Sequence, residues 1–167
     1  MNNALYSRTS GRGLDLMLLH GLFGQGTASR SVGRALEADF RVHCLDLPDH
    51  GRSSWLTEGS LQSYAGAVRD WMDQQELPSA YVLGHSLGGE VAIELALAEP
   101  QRVKRLMVAD MAPLTYVEHH PVILNALQQV TVRGFQTRTE AEALLGEVID
   151  DSGLVGPAGE PLARRWE

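Results

Sequence analysis

Cysteine, lysine, aromatic side chains and long apolar runs are all scarce in this 167-residue sequence. The single cysteine, Cys44, excludes a disulfide within the chain and any zinc site built from several cysteines. No run approaches the roughly 18 apolar residues of a membrane span, and the first residues lack the apolar core of a signal peptide. We therefore expect a cytoplasmic protein that has no membrane partner.

Positive charge is also in deficit, with 14 basic against 21 acidic residues and a formal net charge of −7. Lys104 is the one lysine, and the arginines are scattered along the chain. Proteins that bind nucleic acid need concentrated basic patches, so we expect no nucleic-acid partner. The hydrophobic fraction of 44% can fill the core of one domain of ordinary size.

Short apolar runs alternate with helical ones along the first two thirds of the chain. The apolar runs predict strands at 4–8, 14–19, 40–47, 80–84 and 103–110. Helices are predicted at 28–38, 61–75 and 87–99, and the second of these places on one face Leu61, Ala65, Val68 and Met72. Strands separated by helices of this length form a mostly parallel sheet with helices on both faces. We predict a three-layer α/β fold over residues 1–112.

Residues 113–167 have a different character. No strand is predicted there, and two helices at 117–130 and 139–149 precede a segment rich in glycine and proline. The first of these helices carries the apolar side chains Val122, Ile123, Leu124 and Leu127. We predict that this part forms a helical lid or cap, whose apolar residues favour an acyl chain over a sugar as ligand.

The segment GHSLGG at 84–89 lies between a predicted strand and a predicted helix. A serine on so tight a turn takes a strained backbone conformation, and small residues two before and two after it prevent clashes. Gly84 and Gly88 meet that requirement around Ser86. The turn exposes the hydroxyl group of Ser86 beside a helix N-terminus, which favours developing negative charge. An ordinary glycine-rich turn is the alternative interpretation.

The segment HGLFG at 20–24 directly follows the second predicted strand. A glycine turn leaves backbone N–H groups free to point at an oxyanion, and those of Leu22 and Leu87 are the candidate pair. The same pattern also fits a plain connecting loop. The glycines form no nucleotide-binding motif, and no spacing of histidine, cysteine and carboxylates makes a metal site. We therefore expect no cofactor and no metal.

Four segments together, HGLFG, DLPDHGRS at 46–53, GHSLGG and ADMAP at 109–113, resemble the α/β-hydrolase superfamily. Within it they are similar to small bacterial serine esterases related to mitochondrial abhydrolase-domain proteins, and the resemblance covers about residues 14–130. It implies hydrolysis of carboxylic esters or acyl thioesters through an acyl-enzyme on Ser86. It also implies an oxyanion hole made by the N–H groups of Leu22 and Leu87. Three histidines match family positions that are usually structural: His20, His50 and His85.

The resemblance accounts less completely for the acid and the base of a catalytic triad. Asp110 ends the last predicted strand, where some family members carry the acid, and a buried carboxylate there would orient a histidine and stabilise its imidazolium. A cap of the next helix or turn is the alternative role. The family's histidine follows the acid in chain order, but only His119 and His120 do so here, and neither matches the family position. The chain therefore resembles the N-terminal part of a hydrolase, and we expect it to be weakly active or inactive alone.

The function expected from the resemblance is that of a carboxylesterase or acyl-thioesterase, with a small acyl ester or thioester as substrate. The alternative is a non-catalytic binding or interaction module of the same fold. In the family's strand order, the strand from Val103 to Asp110 is followed in space by one that this chain lacks. We therefore expect an open sheet edge there, through which the chain forms a homodimer or aggregates unless its lid helices cover the edge.

Overall fold

The computed structural model of the chain describes residues 4–111, 128–129 and 131–151. The chain divides into two units, Met1–Pro113 and Leu114–Glu167. The strands of the first unit are β1 (Ser7–Gly11), β2 (Leu14–Leu19), β3 (Phe40–Leu45), β4 (Ala80–His85) and β5 (Val103–Ala109). Its helices are α1 (Arg30–Leu36), α2 (Leu61–Gln74) and α3 (Leu87–Ala98), with short 3-10 turns at Gly26–Ser29 and Pro100–Arg102.

The described strands form one mixed sheet in the order β1-β3-β2-β4-β5. The pairs β2–β3, β2–β4 and β4–β5 are parallel, whereas β1 runs antiparallel to β3. Parallel neighbours need crossover connections, and the helices between the strands supply them. The predicted α/β fold with a mostly parallel sheet is confirmed, and β5 lies at an edge of the sheet.

Each face of the sheet buries its own apolar cluster, because successive side chains of a strand point to opposite faces. On β2, Met17 and Leu19 pack with α2 and α3, including Val68, Trp71 and Leu95. Leu16 and Leu18 pack on the other face with Val42 and Cys44. The stripe predicted for α2 is confirmed at Ala65, Val68 and Met72, which are buried, while Leu61 is partly buried.

Several predicted bounds were wrong. The first strand begins three residues later than predicted, and the helix predicted at 28–38 is a 3-10 turn followed by the short α1. The link from β1 to β2 is tight enough to need glycine at positive φ, 74° at Gly11 and 115° at Gly13. A Cβ atom at Gly13 would overlap the carbonyl oxygen of Asp39, so a side chain is excluded there.

In the second unit the structure describes one complete helix, α4 (Arg138–Asp151), which contains the helix predicted at 139–149. The other predicted helix, at 117–130, lies outside the described residues except for 128 and 129, which are helical. None of the helices in the described ranges combines the length and the apolarity that a membrane span requires.

Candidate active site

Ser86 occupies the turn between β4 and α3 in a strained backbone conformation, with φ 49° and ψ −119°. Positive φ is costly for any residue with a Cβ atom, so surrounding contacts must hold it. The N–H group of Ser86 donates to the carbonyl oxygen of Ala109 at 3.0 Å, which ties the turn to β5. The carbonyl oxygen of Ser86 accepts from Gly89 and Glu90, at 2.7 and 3.1 Å, and so begins α3.

The glycines around Ser86 are required by close backbone contacts. A Cβ atom at Gly84 would overlap the carbonyl oxygen of Gly88, and one at Gly88 would overlap that of Leu19. The helix therefore starts directly against the ends of β4 and β2. This packing presents the serine at the carboxyl end of the sheet, as the strand–turn–helix motif predicts.

The turn at 20–24 lies directly beside the serine. It is closed by a hydrogen bond of 2.9 Å from the N–H group of Gly24 to the carbonyl oxygen of Gly21, with Phe23 at φ 59°. A Cβ atom added at Gly21 would lie 2.8 Å from Nδ1 of His85 and 3.3 Å from the Cβ atom of Ser86, so the turn packs closely against the serine. Leu22 is the next residue of the turn, and Leu87 is the first of α3, where N–H groups have no intrahelical acceptor.

Two of the predicted structural histidines brace the loops around the site. The buried His20 donates from Nδ1 to the carbonyl oxygen of Gly21 at 2.8 Å and accepts at Nε2 from the N–H group of Leu47 at 3.0 Å. Both nitrogens are used by the neutral ring, and burial lowers its pKa more than the Gly21 hydrogen bond raises it. His50 likewise donates to Pro48 at 2.8 Å and accepts from the N–H group of Phe23 at 3.3 Å.

The third histidine, His85, has a different environment. Its side chain is 51% exposed and its Nε2 donates to the carboxylate of Asp110 at 3.2 Å. No sequence pattern predicts this pair, in which His85 ends β4 and Asp110 directly follows the parallel neighbour β5. The expected burial of Asp110 was wrong, because its side chain is 73% exposed. Asp110 follows the edge strand, where no further strand of the described chain covers it, and its φ is 58°.

A mainly apolar cavity of about 440 Å³ opens beside these residues. Leu22, His85 and Ala109 contribute to its lining from the site, and its other lining residues include Leu18, Val32 and Leu83. A cavity of this size and polarity accommodates a short acyl chain or an alcohol group. The described ranges contain no group of three or more histidine, cysteine and carboxylate side chains placed to hold a metal ion. The candidate bases His119 and His120 lie outside the described residues.

The fold and the strained serine turn together define a class of protein, α/β domains that carry a nucleophile elbow. The chain matches the family model for the alpha/beta hydrolase fold over residues 16–152, and it belongs to the α/β-hydrolase family. The resemblance seen in the four sequence segments is confirmed.

The relatives of the chain include enzymes that act on esters. Esterase YbfF from Escherichia coli is 29% identical over 141 residues, 84% of this chain and 56% of that protein. The pimeloyl-[acyl-carrier protein] methyl ester esterase of Vibrio atlanticus is 34% identical, again over 84% and 56%. The solved structure of a marine microorganism esterase matches with a TM-score of 0.75 and 33% identity, over 90% of this chain and 60% of that one. The chain spans about half the length of the curated relatives it matches.

Proposed function

We propose that the protein is a serine hydrolase of small carboxylic esters or acyl thioesters, and that Ser86 is its nucleophile. The observation that carries the proposal is the strained conformation of Ser86, held at positive φ by contacts on both sides. Such strain persists where surrounding structure determines it, and it concentrates at functional sites. Relatives described as esterases add support for ester substrates.

In the proposed reaction, the hydroxyl oxygen of Ser86 attacks the acyl carbonyl carbon while a histidine base takes the hydroxyl proton. The N–H groups of Leu22 and Leu87 stabilise the oxyanion of the tetrahedral intermediate. The same histidine returns the proton to the departing alcohol or thiol, which leaves an acyl-enzyme. A water molecule then gives up its proton in the same way and releases the acid from Ser86.

We propose Asp110 as the acid that orients the base. In the described structure its carboxylate accepts a hydrogen bond of 3.2 Å from Nε2 of His85, and its side chain is 73% exposed. In a complete, active enzyme, Asp110→Asn should lower kcat by orders of magnitude if this assignment is right, because the histidine loses its orienting carboxylate. Near-normal rates in the variant would place the acid elsewhere.

Covalent labelling tests the nucleophile without requiring turnover. A fluorophosphonate should label the folded chain at Ser86, because the turn and the oxyanion donors retain a residual rate of about 10³–10⁴ over water when triad members are lost. Ser86→Ala should abolish the label, while Ser31→Ala, at an exposed serine of α1, serves as the control. Labelling elsewhere, or none in a folded sample, would favour the alternative of a non-catalytic binding module.

Steady ester turnover by the 167 residues alone should be very weak. General acid–base catalysis accelerates each proton-transfer step by a factor of about 10²–10⁴. Among the described residues, the histidine beside Ser86 is His85, and its Nε2 is already hydrogen-bonded to Asp110. Hydrolysis of p-nitrophenyl esters at ordinary enzyme rates would show that another base is recruited. His119→Ala and His120→Ala would then identify it.

A further inference from the structure

A second cavity shares no lining residue with the one beside Ser86. It has a volume of about 210 Å³ and is formed by β1, the end of β3 and the segment around the Gly26–Ser29 turn. Its ionisable lining consists of three arginines, one aspartate, a tyrosine and a cysteine, namely Arg8, Arg30, Arg52, Asp46, Tyr6 and Cys44. Three guanidinium groups and one carboxylate give this cleft a net formal charge of +2.

The aspartate belongs to the framework of the cleft. Asp46 is 3% exposed, and its carboxylate accepts from the N–H group of Gly26 at 2.6 Å and from that of Arg52 at 2.9 Å. Both oxygens are thus engaged by backbone groups. The carboxylate fixes the two loops that form the cleft and forms no ion pair with the guanidinium groups above it.

The three arginines of the cleft form no ion pair with a carboxylate of the described residues. Within the described ranges, the arginines that form ion pairs with aspartates are Arg41, Arg69 and Arg102, and the three of the cleft are not among them. Arg52 is nevertheless held in place, since its Nη1 donates to the hydroxyl oxygen of Tyr6 at 3.0 Å and its guanidinium lies 4.8 Å from the ring centroid. A fixed guanidinium with donors to spare is suited to a planar or tetrahedral oxyanion.

We propose that this cleft binds a phosphate group. The net charge of +2 matches a phosphate dianion better than a single carboxylate, and guanidinium groups donate to phosphate oxygens in pairs. The volume lies below the roughly 300–1,000 Å³ of sites for drug-sized molecules. The ligand is therefore free phosphate or the phosphate end of a small monoester, with the remainder of a larger molecule outside the cleft.

Calorimetry on the full chain tests the proposal at constant ionic strength, with inorganic phosphate, glycerol phosphate and acetate as separate ligands. We expect saturable binding of phosphate, with acetate at least about tenfold weaker. Arg8→Gln and Arg30→Gln should each weaken phosphate binding by about tenfold or more, the change expected for one charge-assisted hydrogen bond. Arg34→Gln removes the same charge from α1 outside the cleft and should change the affinity by less than about twofold.

The outcomes separate the possible sources and can refute the site. Tighter binding of glycerol phosphate than of inorganic phosphate would identify a monoester as the ligand class, and equal binding would identify free phosphate. No saturable binding, acetate as tight as phosphate, or an equal loss in Arg34→Gln would overturn the proposal. Because the three substituted arginines are exposed, circular dichroism of each variant should match that of the original chain.

Discussion

Replacing Gly88 by alanine should destabilise the protein and impair its candidate site together. The added Cβ atom would overlap the carbonyl oxygen of Leu19 and lie 2.7 Å from that of His20. Both are backbone atoms at the end of a central strand, so neither can rotate away as a side chain would. Inserting a methyl group into such packing costs about 1–3 kcal/mol, and the rigid neighbours place this case at the upper end.

Helix propensity opposes that cost and sets the net value. Alanine in place of glycine stabilises a helix by about 1 kcal/mol, so the expected net loss for Gly88→Ala is about 2 kcal/mol. With a denaturant dependence of about 2 kcal/mol per molar urea, the unfolding midpoint should fall by about 1 M. Because α3 must shift away from β2, labelling of Ser86 by a fluorophosphonate should also slow.

Gly66→Ala is the matched control, since Gly66 lies inside α2 and an added Cβ atom there meets nothing within 4 Å. It should raise stability by about 0.5–1 kcal/mol through propensity alone and leave the labelling of Ser86 unchanged. Equal midpoints for the two variants would refute the claim that close packing against β2 requires glycine at position 88. Normal labelling in a destabilised Gly88→Ala would separate fold stability from the geometry of the site.

Two further predictions concern pH and assembly. Burial lowers the pKa of His20 and of His43 below the ordinary 6.5, so the unfolded chain binds protons that the folded chain excludes. The urea concentration at the unfolding midpoint should therefore decrease as the pH is lowered from about 7.5 to about 5.5. A midpoint that does not change over this pH range would contradict this account. Light scattering should detect a dimer or a larger species that forms by pairing of β5 strands. Met107 on β5 is 62% exposed, and Met107→Lys should prevent this pairing and leave the chain monomeric. A stable monomer whose β5 amide hydrogens exchange rapidly with solvent would refute association through β5.

Local pattern predicted the elements whose own residues determine them. The apolar run at 14–19 has the same bounds as β2, and the helical spacing at 61–75 ends within one residue of α2. The polar strand β1, SRTSG, has no such pattern. It is a strand because it pairs with β3, with Arg8 opposite Cys44, and pairing across so many residues leaves no local signal. Its bounds were therefore predicted three residues too early.

The same limit explains what was missed near the sites. Arginines that are far apart in the sequence line the same cleft, because β1 pairs antiparallel with β3 and the Gly26–Ser29 turn lies beside them. His85 and Asp110 meet because β4 and β5 are parallel neighbours with equal ends. Each local motif was visible, but the order of the strands decides which ends become adjacent. The GHSLGG segment was identifiable because strain, nucleophile and helix start all lie within six consecutive residues.

The edge strand links assembly to chemistry. β5 carries exposed Leu106 and Met107 along its length, Asp110 at its end, and the carbonyl oxygen of Ala109 that holds Ser86. A partner strand on this edge would remove water from the carboxylate, and the interaction of Asp110 with an imidazolium strengthens as the local dielectric constant falls. A chain that pairs through β5 should therefore label faster at Ser86 than one kept monomeric by Met107→Lys. If the variant becomes monomeric and its labelling rate is unchanged, then pairing through β5 serves assembly alone. In that case the pairing does not strengthen the interaction of Asp110 with the imidazolium.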